Sequence, residues 1–298
     1  MKVHRRISPP QPTPSRTLRE SARSDRAPGH SPLDSFVAGR TGGTTKPTKS
    51  ANDLTNYGGR VLANPTFQPI YLGSYWQTAA GKADATFNDG FAKEVVGGAH
   101  EAILKQYGVG SGSFGGSATV GGSNPSSVTH DDVVALVKQQ IAAGAVKDGP
   151  QTVHMVVLAP GTVLDAGNGV TSQQGLGGFH GSYVDDAGKT VYFGVVAYSQ
   201  GSNGIDFTGK GRDNVTITES HEFDEACTDP DVEGGKLAWY NKRYGEIGDL
   251  AVNSGLVPLD KSYVRDAAGY AVQVEWSNAD HAFEGVAPAA KPKPKPVR

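Results

Sequence analysis

The chain of 298 residues holds one cysteine, no apolar run approaching the width of a bilayer, and no apolar segment behind its first residue. Cys227 has no partner for an intrachain disulfide, so no disulfide framework supports the fold. A transmembrane helix needs about 20 mostly apolar residues. No such run exists, so no membrane span is expected. Met1 opens a polar, proline-rich stretch where a secretory signal would carry its apolar core, and no signal peptide is visible. Large apolar residues are also scarce at both ends. Ser8-Pro9-Pro10-Gln11-Pro12-Thr13-Pro14 lies at one end and the basic repeat Lys291-Pro292-Lys293-Pro294-Lys295-Pro296 at the other. Such composition buries too little apolar surface to offset chain entropy. Disordered tails are therefore expected at 1–57 and 286–298, around one folded body at 58–285.

The net charge of −2 hides an asymmetry. Residues 1–50 carry ten Lys/Arg and three Asp/Glu, leaving 18 basic and 27 acidic residues in the remainder. An acidic body is a poor match for a polyphosphate backbone, so no nucleic-acid partner is expected.

Within the body, strand and helix signals alternate. Pro69-Ile70-Tyr71-Leu72-Gly73-Ser74-Tyr75-Trp76 reads as a strand, and Asn88 or Asp89 to about Tyr107 as a helix capped by Gly108. A glycine- and serine-rich loop follows to Ser127. Thr129 is a good N-cap for a second helix, with Asp131 and Asp132 in its first turn. Val153–Leu158 and Thr190–Tyr198 read as core strands, and Val272–Ser277 as an alternating closing strand. This order predicts a single α+β domain of layered α/β type.

The chemistry concentrates in Ser220-His221-Glu222-Phe223-Asp224-Glu225-Ala226-Cys227-Thr228-Asp229-Pro230. His221 and Glu225 are four residues apart and share one face if the stretch is helical. A helix from about Asp213 or Asn214, stopped by Asp229-Pro230, is expected despite the β-branched run Val215-Thr216-Ile217-Thr218. Zinc accepts carboxylate oxygen as well as imidazole nitrogen. His221 and Glu225 are thus metal-ligand candidates, and Glu222, next to the histidine, is the general-base candidate. Gly245-Glu246-Ile247-Gly248-Asp249 offers the third ligand, Asp249 slightly ahead of Glu246.

His180, between glycines in what reads as a loop joining two strands, is a candidate for a catalytic role beside the metal or an oxyanion. Tyr183 and Tyr244 are further oxyanion candidates. Asp231, ten residues after His221, stands where metzincin-type sites carry a third ligand, but Thr228 replaces their glycine. Asp229 reads as a turn residue, Asp224 as solvated, and His154 as a satisfied core histidine. His100-Glu101 has Leu104 at the four-on position and cannot bind metal as a pair. Cys227 should point away from the metal face.

Asn64-Pro65, Ile70–Trp76, Gly178-Phe179-His180-Gly181-Ser182-Tyr183, Ser220-His221-Glu222, Glu225, Thr228-Asp229-Pro230 and Gly245–Asp249 together resemble zincin-like proteins related to the phosphate-induced, or exordium-like, family. The resemblance covers about Val61 to Trp276. It implies a metallopeptidase-like fold and a secreted or envelope protein, and names no substrate. The chain departs from that pattern in lacking a visible signal sequence and in having one cysteine.

Two functions are expected in competition. One is a zinc-dependent hydrolase acting on a peptide or small amide. The other is a non-catalytic, exordium-like binding or signalling module with a structural zinc or calcium. Asp224, Glu225, Asp229, Asp231, Glu246 and Asp249 could supply calcium's oxygens, but His221 is a poor calcium ligand.

Overall fold

The structure, a computed structural model, describes residues 49–285. The expected tails fall outside it except for residues 49–57. There Leu54 is buried, and the short strand β1 (Thr55–Asn56) pairs with β10 (Trp239–Tyr240), so the packed body begins before residue 58.

Along the chain follow β2 (Thr66–Leu72), α1 (Ala79–Val95), α2 (Glu101–Leu104), β3 (Ser113–Phe114), β4 (Ala118–Val120), β5 (Ser127–Thr129) and α3 (His130–Ala142). Next come β6 (Thr152–Leu158), β7 (Val163–Asp165), β8 (Gly178–Val184), β9 (Thr190–Val196) and α4 (Gly211–Thr228). After β10 the chain ends in α5 (Asp249–Asn253), β11 (Tyr263–Arg265), β12 (Ala271–Gln273), β13 (Glu275–Ser277) and β14 (Ala282–Glu284).

β2, β6 and β9 are the apolar runs, and they pair in parallel as the centre of a six-stranded sheet. β3 and β4 both pair with β2 at one edge, and β8 lies antiparallel to β9 at the other. Strand alternation splits the side chains between two faces. Phe67, Tyr71, Val153, Met155 and Val157 pack with Phe91 of α1 and Phe223 of α4. Ile70, Val156, Leu158, Phe193 and Val195 pack with Val133, Leu136 and Val137 of α3. Helices thus cover both sides of a mostly parallel sheet, in one layered domain of mixed helix and strand.

Local signals explain most boundaries. Thr129 caps α3 in a reciprocal capping box with Asp132. The first helix starts nine residues before the expected point, because the Thr78 hydroxyl accepts the Gly81 N–H. It also breaks at Gly97-Gly98, after which α2 and a 3₁₀ turn reach the left-handed Gly108 (φ +95°). The expected loop up to Ser127 contains β3 and β4, held by β2.

His154 sits in the middle of β6, fully buried, and both of its ring nitrogens lack a hydrogen-bond partner. It is a core histidine, but not a satisfied one. Burial pushes its pKa down to about 4, with Asp148 opposing and Lys189 assisting. An unfolded histidine titrates near 6.5, so the unfolded state takes up the proton first as pH falls. The stability this group contributes is complete above pH 6.5 and is lost on acidification towards 4, about 3 kcal/mol in all. The difference in unfolding free energy between wild type and His154→Leu should therefore change by about that amount between pH 7 and pH 4. Denaturant unfolding at the two pH values measures it, and identical pH dependence in both proteins would refute the buried neutral imidazole.

Candidate metal centre

α4 forms as expected and stops before Pro230, yet it has no apolar stripe. Every residue from Asp213 to Thr228 is buried. A helix buried all round is ordinarily apolar, whereas this one carries hydroxyls and carboxylates. The hydroxyls are satisfied locally: Thr216, Thr218, Ser220 and Thr228 donate to the carbonyls of Asp213, Asn214, Ile217 and Asp224. Asn214 is not the cap. The helix begins at Gly211, and Asn214 Oδ1 accepts the N–H groups of Phe207 and Thr208 from the preceding loop.

The carboxylates converge elsewhere. His221 Nε2 and Glu225 Oε1, one turn apart, lie 3.3 Å from each other. Asp249, the first residue of α5, donates its backbone N–H to Glu225 Oε1 at 3.2 Å. Ligand atoms of His221, Glu225 and Asp249 all lie within 4.8 Å of one another, and so do those of His180, Glu225 and Glu246. Asp249 and Glu246, alternatives in the sequence, fall in two different groups that share Glu225.

His180 stands on a strand, not on a loop. In β8 it faces α4, with Nδ1 3.5 Å from both Glu222 Oε2 and Glu225 Oε2, and Nε2 3.3 Å from Glu246 Oε1. Tyr183 packs on the opposite face of the sheet, beside Phe193, so it cannot reach an oxyanion at this cluster.

Gln273 was not legible as a site residue. Its Nε2 donates to the Gly248 carbonyl at 2.7 Å, which turns Oε1 towards His221 Nδ1 at 3.1 Å. A carbonyl only accepts, so the amide orientation is set, and Nδ1 must carry the imidazole proton. The Nε2 lone pair is then free for a metal, which is the task of a supporting partner around a metal-ligating histidine. The alternation in Val272–Ser277 does not mark a solvent face. All six residues are buried, and the polar members Gln273 and Glu275 turn inward beside α4. Polar residues at every second position of an otherwise apolar strand were the only available hint.

The two glycines of the Gly245–Asp249 segment are needed for close approach. A Cβ on Gly248 would lie 2.5 Å from His221 Nδ1. Gly245 has φ +108°, and a Cβ there would meet Asp249 Oδ2.

His180, His221, Glu222, Glu225, Glu246 and Asp249 are each at most 3% exposed. Four carboxylates therefore share a buried space with two imidazoles. Burial pushes Glu246 up to about 8, with Glu225's charge adding and His180 opposing. Burial likewise raises Asp249 well above the usual range and raises Glu222, against the pull of the histidines. Burial would raise Glu225 too, but His221 and His180 outweigh it and draw the group down to about 2. Both histidines resist the lowering effect of burial and are raised well above their ordinary value by the surrounding carboxylates.

His180 Nδ1, Glu222 Oε2, Glu225 Oε2 and Glu246 Oε1 are buried without a hydrogen-bond partner. Leaving such atoms unpaired costs about 1–3 kcal/mol each, more when they are charged. A divalent cation is one partner that buried groups of this kind could take, and imidazole plus carboxylate is a donor set for zinc or another first-row ion rather than calcium.

The remaining candidates have other occupations. Asp224 is not solvated: it is buried and bonded at 2.7 Å to His100 Nε2, whose Nδ1 meets the Gly285 carbonyl. Asp229 is the C-cap residue of α4, and its Oδ1 accepts the Ala238 N–H at 2.6 Å. Asp231 pairs with Arg60 and accepts from Ser182, outside both ligand groups. Cys227 is buried in the core. Tyr244 packs against that same core and carries the Arg243 guanidinium over its ring.

No family model matches the chain, and comparison with curated proteins and with solved structures likewise finds no match. No helix among the described residues is long and apolar enough to cross a membrane.

Proposed function

We propose that the protein is a divalent-metal hydrolase of zincin-like type, related to the exordium-like group and cleaving a peptide or small amide. One observation carries this reading. His221, Glu225 and Asp249 place three ligand atoms within 4.8 Å of one another on two helices, with Glu222 beside them and its Oε2 unpartnered. When bound, zinc supplies Lewis acidity for the scissile carbonyl and lowers the pKa of water. Glu222 accepts the proton of the attacking water and returns it to the leaving nitrogen. Gln273 holds His221 in the tautomer that presents Nε2.

A second reading is favoured by the burial itself. Structural metal sites are closed, whereas catalytic sites keep an open position, and no member of this cluster is more than 3% exposed. A surface groove of about 700 Å³, lined by Tyr57, Arg60, Asp231 and Lys236 among others, includes none of the six. On that reading the chain is a non-catalytic binding or signalling module with a structural zinc or calcium.

Elemental mass spectrometry of the full chain, purified without chelators, tests the metal. Zinc or another first-row ion in fixed stoichiometry, reduced in His221→Ala, is the expected result. Calcium alone, or no metal, would overturn the hydrolase.

A further inference from the structure

We infer that the cluster is a two-metal centre bridged by Glu225, with His221 and Asp249 holding one ion and His180 and Glu246 the other. The inference rests on the metal reading above and extends it. It starts from the two oxygens of Glu225. Oε1 faces His221 Nε2 at 3.3 Å and accepts the Asp249 N–H, while Oε2 faces His180 Nδ1 at 3.5 Å. One carboxylate therefore presents an oxygen to each ligand group, as a bridging carboxylate does between ions about 3.5–4 Å apart.

The distribution of unpartnered atoms is an independent observation. In the first group most atoms have protein partners. His221 Nδ1 meets Gln273, Asp249 Oδ1 accepts from Asn253, and Asp249 Oδ2 accepts the Glu246 N–H. Most of the orphans lie on the other side: His180 Nδ1, Glu225 Oε2 and Glu246 Oε1, on residues at most 1% exposed, with Glu222 Oε2 beside them, while Glu275 Oε2 near Gln273 is one on the first side. A single ion on His221, Glu225 and Asp249 would leave the atoms on the other side only the long contacts of 3.3–3.5 Å to the His180 ring. An ion held by His180, Glu225 and Glu246 would give the Glu225 and Glu246 carboxylates a partner.

Two imidazoles and three carboxylates suit zinc, manganese or ferrous iron rather than calcium.

The test is a titration of the metal-stripped full chain with Zn²⁺, read by elemental analysis, alongside Mn²⁺ loading read by electron paramagnetic resonance. Two equivalents per chain are expected, and a spin-coupled manganese pair in wild type, which needs no variant to fold. His180→Ala and Glu246→Gln should each retain one equivalent with an uncoupled Mn²⁺ signal, and circular dichroism would confirm that they fold. One equivalent in wild type, unchanged in His180→Ala, would overturn the two-metal centre and leave the single-metal hydrolase standing. Two equivalents in both His180→Ala and Glu246→Gln would place the second ion elsewhere and also overturn it. No bound metal would sink both readings.

Discussion

Glu222→Gln should keep its metal and lower kcat on a fluorogenic peptide library by about 10²–10⁴-fold, the usual contribution of a general acid–base. The substitution preserves shape and removes only the ability to take a proton. Glu222 stands next to His221 in the chain, with Oε1 4.0 Å from His221 Nε2, and its Oε2 has no hydrogen-bond partner. A carboxylate held this way is placed to receive a proton rather than to brace the fold. Loss of metal in the variant would make Glu222 a ligand instead. An unchanged rate, in a preparation where His221→Ala is inactive, would remove it from the chemistry.

The second large effect is on stability. Stripping the metal should lower the unfolding temperature by roughly 5–10 °C. The estimate comes from linkage: an ion present at about 100 times its dissociation constant adds about 2.7 kcal/mol, and a domain of this size shifts about 2–4 °C per kcal/mol. The shift should grow from pH 6 to pH 8, since metal binding requires deprotonated carboxylates and neutral imidazoles. Differential scanning calorimetry with and without chelator measures it. An unchanged unfolding temperature at both pH values would mean that the folded chain does not depend on an ion at this cluster.

Much of the fold was legible because its signals are local. The apolar runs at β6 and β9, the cap at Thr129, the left-handed stop at Gly108 and the proline after α4 each act within a few residues. The first helix was misplaced for the same kind of reason. Its true start depends on the single hydroxyl of Thr78, and its break on two glycines inside an otherwise helical pattern. Asp224 was misread because an acid on the far side of a helix normally meets water. Here that side meets His100 instead.

The sequence by itself determined the pairing of His221 with Glu225, the place of Glu222 between them, and the glycines that admit Asp249 and Glu246. The first two follow from helix geometry, fixed by covalent structure over a few residues, whereas the glycines leave room for an approach whose partner, His221 at Gly248, the fold supplies. Only the tertiary structure decided that Asp249 and Glu246 belong to separate ligand groups. It also decided that His180 reaches the cluster from a strand, and that Gln273, 52 residues from His221, sets its tautomer. The physical reason lies in α4. With every residue from Asp213 to Thr228 buried, its polar groups must find partners on whatever packs around it. Which strands and loops do so is settled by how the sheet, α5 and the chain after it close over the helix, not by spacing along the sequence.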